Sequence, residues 1–187
     1  MSQRDLDRAH NELKAGNWNL GFRLFESREV RKLKFELGTK TPLMRTPLWE
    51  PGYSVDGRHL IVVNEQGIGD TIMFSRFIPL LKTLPIKSVS VYMLRTLNSL
   101  VASLDGVDTM MVDENCPQNS MRIKVMSIPA LLCQYKKLPM DNPDEVYGSS
   151  GYFKFKGIKK TKAIGFCWNS NNDSWNAKAK KIPRELA

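Results

Sequence analysis

The residue types best suited to chemistry lie together in "VNEQGIGDTIMFSRF", Val63 to Phe77. Asp70 follows two glycines and opens a run of helical periodicity, so it stands where a strand hands over to a helix. A carboxylate at such a corner could take the proton from an acceptor hydroxyl as it attacks. It would serve equally as an N-cap, held by free amides and by the helix dipole. Spacing alone leaves both readings open. A general base there needs a pKa above the ordinary carboxylate value, so partial burial and the nearby Glu65 are the features that matter. Glu65 has its own plainer reading as a surface or capping residue. Gly67 and Gly69 permit positive φ and let a ligand or another backbone approach closely. The third glycine of a dinucleotide fingerprint falls on Ile72, no P-loop lysine follows, and Asp70 would repel a phosphate. A plain phosphate cradle is therefore poorly supported.

Little else in the chain offers catalytic material. His10 and His59 are the only histidines, and Cys116, Cys133 and Cys167 are not spaced for a metal or a disulfide framework. No metal site, no cofactor and no Ser-His-Asp triad is expected, and the cysteines read as buried free thiols of a reducing compartment. The net charge of +9 is uneven, with +7 of it from Phe153 onward. That basic tail suits an anionic partner, such as nucleic acid or the phosphates of a small ligand, or is simply a solvated surface. Aromatic residues interleaved with the basic ones are few, so nucleic acid ranks last among the partners. No apolar run reaches membrane-spanning length, and the polar N-terminus lacks a signal-peptide core. A soluble, cytoplasmic protein is expected.

The elements that would position the Asp70 corner follow from periodicity. Residues 1–38 predict a helical hairpin, with Leu6, Ala9 and Leu13 on one stripe, Trp18, Phe22, Phe25 and Val30 on the next, and Gly16 between them. Its small-residue spacing is similar to a tetratricopeptide unit. Residues 39–57, with Pro42, Pro47 and Pro51, predict a linker. Over 58–137, strands at "RHLIVVNE", "KSVSVYML", "DTMMVDE" and "RIKVM" alternate with helices, which argues for a parallel, doubly wound, Rossmann-like sheet. Leu60 to Val63 are four consecutive apolar residues, as in a strand covered on both faces. One amphipathic helix is expected from Asp70 to Leu84, and a later one is capped by Ser127. Residues 138–162 read as an interdomain passage. Residues 163–187 read as the truncated start of a second domain, too short to bury a core.

The ordered stretches "GNWNLGFRLFESR", "PLWEP", "EQGIGDTIMFSRFIPLL", "MSIPALL" and "IGFCWNSNND...KKIP" resemble the N-terminal part of a bacterial and phage family. Its members are tetratricopeptide-associated proteins with a heptosyltransferase-like glycosyltransferase domain. The resemblance implies a two-domain GT-B architecture, an acceptor half followed by a nucleotide-sugar half. It implies inverting, metal-independent transfer from a nucleotide-sugar donor to a hydroxyl of a sugar or glycan acceptor. Asp70 matches the family's catalytic base, and Glu65, Gln66, Gly67 and Gly69 the surrounding substrate loop. Ser170, Asn171 and Lys181 match residues near the donor phosphates. Most of the donor half is missing, so the chain by itself is expected to turn over weakly or not at all. The competing reading is a non-catalytic module that docks a protein partner through the hairpin, which requires an exposed apolar groove around Trp18 and Phe22.

Overall fold

The computed structural model describes residues 3–28 and 41–138, all within the first of the two units into which the chain divides, Met1–Phe155. The expected second-domain start, with Ser170, Asn171 and Lys181, lies outside the described residues, as does nearly all of the interdomain passage.

Helices α1 (Gln3–Lys14) and α2 (Trp18–Phe25) form the expected hairpin. Gly16 closes α1 at φ +80°, a left-handed conformation that costs glycine no Cβ clash. The helices meet across Ala9, fully buried, and Gly21. A Cβ on Gly21 would lie 2.7 Å from Leu13 Cγ and 3.0 Å from the Leu13 amide nitrogen. Backbone cannot yield as a flexible side chain can, so Gly21→Ala is expected to cost about 1–3 kcal/mol in chemical denaturation. An unchanged midpoint would show that the hairpin relaxes freely. Among the described residues α2 stops at Phe25, short of the stripe expected to reach Val30. The Arg28 guanidinium turns back and donates to the Phe25 carbonyl at 3.2 Å, satisfying a helix-end acceptor.

Four strands, β1 (His59–Val63), β2 (Ser88–Tyr92), β3 (Thr109–Met110) and β4 (Ser120–Lys124), pair in parallel in the order β3-β2-β1-β4. The chain runs outward from β1 through β2 and β3, then returns to β1's other side. The direction therefore reverses between β1 and β4, and all carboxyl ends share one rim. Leu60, Ile61 and Val62 are fully buried, as the apolar run predicts. On one face Leu60, Val62, Val89, Val91, Met121 and Ile123 join a single core with α4 (Ile68–Ser75), α5 (Asn98–Val101), α6 (Ile128–Gln134) and Phe22. On the other face Ile61 packs with Met111 and with Leu43 of α3 (Pro42–Arg45).

Three elements differ from expectation. The single helix expected to run to Leu84 breaks after Ser75 and resumes as a 3-10 turn over Pro79–Thr83. Pro79 has no amide to bond the Ser75 carbonyl, which instead accepts from Ile78 at 3.0 Å. The third strand shrinks to two residues. The linker also pairs with the sheet: Leu48 bridges Arg122 in parallel, Trp49 N donates to Arg122 O at 2.7 Å, and the Trp49 side chain is buried. The Arg122 side chain donates back to the Thr46 and Met44 carbonyls at 2.9 and 3.3 Å. The connector thus covers the outer edge of β4, where an unpaired row of amides would otherwise face solvent.

Candidate functional site

The corner after β1 is built by backbone demands. Gln66, and neither glycine, takes the left-handed conformation, at φ +57°. A side chain there is strained by roughly 1 kcal/mol, a load more common at functional loops than elsewhere. Gly67 is extended (φ −87°, ψ 168°) and precedes α4 as its cap residue. Asp70 is therefore not the cap but the third helical residue, and its Oδ2 accepts from the Gly67 amide at 3.1 Å. Thr71, which carried no sequence signal, locks the turn: its amide and its hydroxyl both bond the Gly67 carbonyl at 3.1 Å.

Gly67 serves close approach, and neither glycine takes positive φ. A Cβ on Gly67 would sit 3.2 Å from Asp70 Oδ2, so only glycine leaves that carboxylate its place without a shift. A Cβ on Gly69 would meet nothing within 4 Å. Asp70 itself is half-buried, and among the described residues its carboxylate has no other hydrogen bond than the one from Gly67.

Glu65 behaves differently. Its side chain is 1% exposed, and Arg28, likewise buried, grips it with two bonds: Nε to Oε1 at 3.1 Å and Nη2 to Oε2 at 2.7 Å. Arg28 Nη1 donates to Glu26 Oε1 at 2.6 Å, and Nη2 also donates to the Ser127 hydroxyl at 2.9 Å. Ser127 in turn donates to Glu26 Oε2 at 2.8 Å and makes no cap bond to α6. Ser127 stands just beyond β4 and Glu65 just beyond β1, so Glu26 and Arg28, after α2, reach the rim where the sheet changes direction. A ligand of an open parallel sheet would settle in that crevice. Glu65, expected to line substrate, thus faces the hairpin, while Asp70, five residues on, faces outward. Burial raises Glu26 above the ordinary carboxylate range, against the opposing pull of Arg28 and Ser127. For Arg28 burial works against the charge, but the carboxylates outweigh it and hold the guanidinium ionised.

Nothing in the sequence links Arg28 to its partners, which stand 37 residues away at Glu65 and 99 at Ser127. The groove required by the docking reading is only partly met. Phe22 is 5% exposed and packs edge-on against Phe77, whereas Trp18 is half-buried.

Cys133 on α6 is buried, and its thiol is pushed up to about 11, chiefly by that burial and despite Arg23. Its thiolate fraction at pH 8 is then about 0.001, so iodoacetamide should label half-buried Cys116 at least tenfold faster, as read by peptide mass mapping. A folded value above the unfolded one means stability is retained below about pH 9 and lost as pH rises toward 11. Equal labelling of the two cysteines at pH 8 would contradict the burial.

Among the described residues no group of His, Cys, Asp and Glu is placed to hold a metal, and no helix is long and apolar enough to cross a membrane. In comparisons with family models, with curated proteins and with solved structures, nothing matches the chain.

Proposed function

We propose that the chain is the acceptor half of an inverting, metal-independent glycosyltransferase of GT-B type, with Asp70 as its general base. The observation that carries this reading is the Asp70 carboxylate, held at the rim of a parallel sheet by one amide and otherwise uncommitted. In the reaction an acceptor hydroxyl attacks the anomeric carbon of a nucleotide-sugar, and Asp70 takes the hydroxyl proton. The anomeric C–O bond to the diphosphate breaks, and the nucleoside diphosphate leaves with the electron pair. The stretches that resemble the heptosyltransferase-like family support the same assignment. Ser170, Asn171 and Lys181 would face the donor phosphates, where a lysine offsets the leaving group's charge.

Two substitutions in the natural full-length protein test it. Asp70→Asn should abolish most acceptor-dependent release of nucleoside diphosphate; near-normal release rejects the assignment. Gly69→Ala separates binding from folding. Alanine at this helical position meets nothing and should raise stability by up to about 1 kcal/mol. If acceptor passes over the open face of Gly69, turnover falls although the fold is firmer. A firmer protein with unchanged turnover would remove Gly69 from the substrate loop.

A further inference from the structure

Phe25 and Arg28, at the end of α2 and just past it, touch the segment that carries Asp70 at both of its ends. Before Asp70, Arg28 bonds both oxygens of Glu65, at 3.1 and 2.7 Å. After it, Phe25 stacks on Phe74 of α4, with ring centroids 6.2 Å apart and planes 4° from parallel. Arg28 also lies over the Phe25 ring, its guanidinium carbon 4.9 Å from the centroid, so one side chain joins the two contacts.

Between those ends the backbone carries a load. Gln66, next to Glu65, stands at φ +57°, where a side chain is unfavourable. A residue keeps such a conformation only while its surroundings over-determine it. On one side the buried Thr71 hydroxyl bonds the Gly67 carbonyl at 3.1 Å and reaches the Glu65 carbonyl at 3.4 Å. On the other, Arg28 supplies both hydrogen bonds that the Glu65 side chain accepts among the described residues. A two-pronged guanidinium fixes the direction of a carboxylate as well as its distance.

The orientation of Asp70 depends on this clamp. Its Oδ2 accepts from the Gly67 amide at 3.1 Å, and that amide belongs to the peptide joining Gln66 to Gly67. Were Gln66 to leave its left-handed conformation, the peptide plane would turn and the amide would swing away from the carboxylate.

We propose that Arg28 is a positioning residue for Asp70: through Glu65 it holds Gln66 left-handed and so aims the Gly67 amide at the carboxylate. Arg28 thereby makes the hairpin part of the site that it flanks. The effect on turnover rests on the glycosyl-transfer reading; the mechanical coupling does not.

An Arg28→Met, Glu65→Leu double variant separates aiming from folding. It removes both buried charges and leaves an apolar contact, which fills space without direction, so its thermal midpoint should lie near the parent's. In proton–nitrogen NMR of the full chain, the Gly67 amide proton should still move. Its displacement should match most of that given by Asp70→Ala, which deletes the acceptor, while the mid-strand Val62 amide stays in place. In the natural full-length protein kcat should fall about 10- to 100-fold with KM for acceptor little changed, as for a base displaced by about 1 Å. Arg28→Lys keeps the charge but offers a single point donor, and should move the Gly67 proton the same way; it carries the test if the double variant does not fold. An unmoved Gly67 proton overturns the proposal. So does a kcat equal to the parent's in a protein where Asp70→Asn abolishes turnover. If the Gly67 proton moves but Asp70→Asn keeps full turnover, the catalytic reading falls and the coupling stands.

Discussion

Replacing Arg28 by alanine is expected to destabilise the protein by about 3–5 kcal/mol, a large part of a domain's total stability. The reason is not the strength of the ion pair but what its removal leaves behind. Glu65 is 1% exposed and has both oxygens bonded to Arg28. Without the guanidinium a buried carboxylate must stay charged without a partner or take up a proton. Ser127 and Glu26 lose their donor at the same time. Removing both charges together should cost far less. An Arg28→Met, Glu65→Leu double variant is expected to recover most of the loss, giving an interaction energy of at least about 2 kcal/mol in a double-mutant cycle. Additive losses in urea denaturation would mean that the two side chains are not coupled as their distances indicate.

The second large effect concerns turnover. Asp70→Asn keeps the helix intact, because an asparagine side-chain oxygen can accept the Gly67 amide as the carboxylate does. What it cannot do is take a proton. Positioned general bases typically contribute 100- to 10,000-fold, so kcat in the natural full-length protein should fall by about that factor with KM for acceptor little changed. A thermal midpoint close to the parent's would separate this loss from unfolding. A rise in KM with kcat preserved would make Asp70 a binding residue instead, and the base would have to be sought elsewhere.

Much of the layer order was legible from local patterns. The hairpin, the buried first strand and the strand–helix alternation depend on periodicities of 2 and 3.6, which a single segment carries within itself. The Asp70 corner was legible as a corner, because glycines between an apolar run and a helical stripe admit few alternatives. Its internal wiring was not. Which residue takes the left-handed conformation depends on how Thr71 and Asp70 reach back to Gly67, and sequence order does not rank those bonds. The fate of Glu65 was hidden for a different reason: its partners come from the far end of the hairpin and from the turn after β4. The apolar stripe runs past Pro79, but a proline inside a helical pattern ends the helix, so the helix is shorter than its stripe. The connector's prolines predict a linker, and Pro47 still serves the sheet edge, because it needs only its carbonyl to accept from Arg122.

The reach of Arg28 also sets a timetable. During synthesis the hairpin emerges before the sheet, and Ser127, one anchor of Arg28, follows that arginine 99 residues later. At ribosomal speeds of about 5–20 residues per second that interval is roughly 5–20 s, long compared with helix formation. Until β4 and the turn beyond it exist, the arginine lacks its Ser127 partner and the hairpin has only part of its resting place. A segment made before the sheet is thus fully secured only after it, and whatever accompanies Arg28 in the meantime, water or chaperone, must leave when Ser127 arrives.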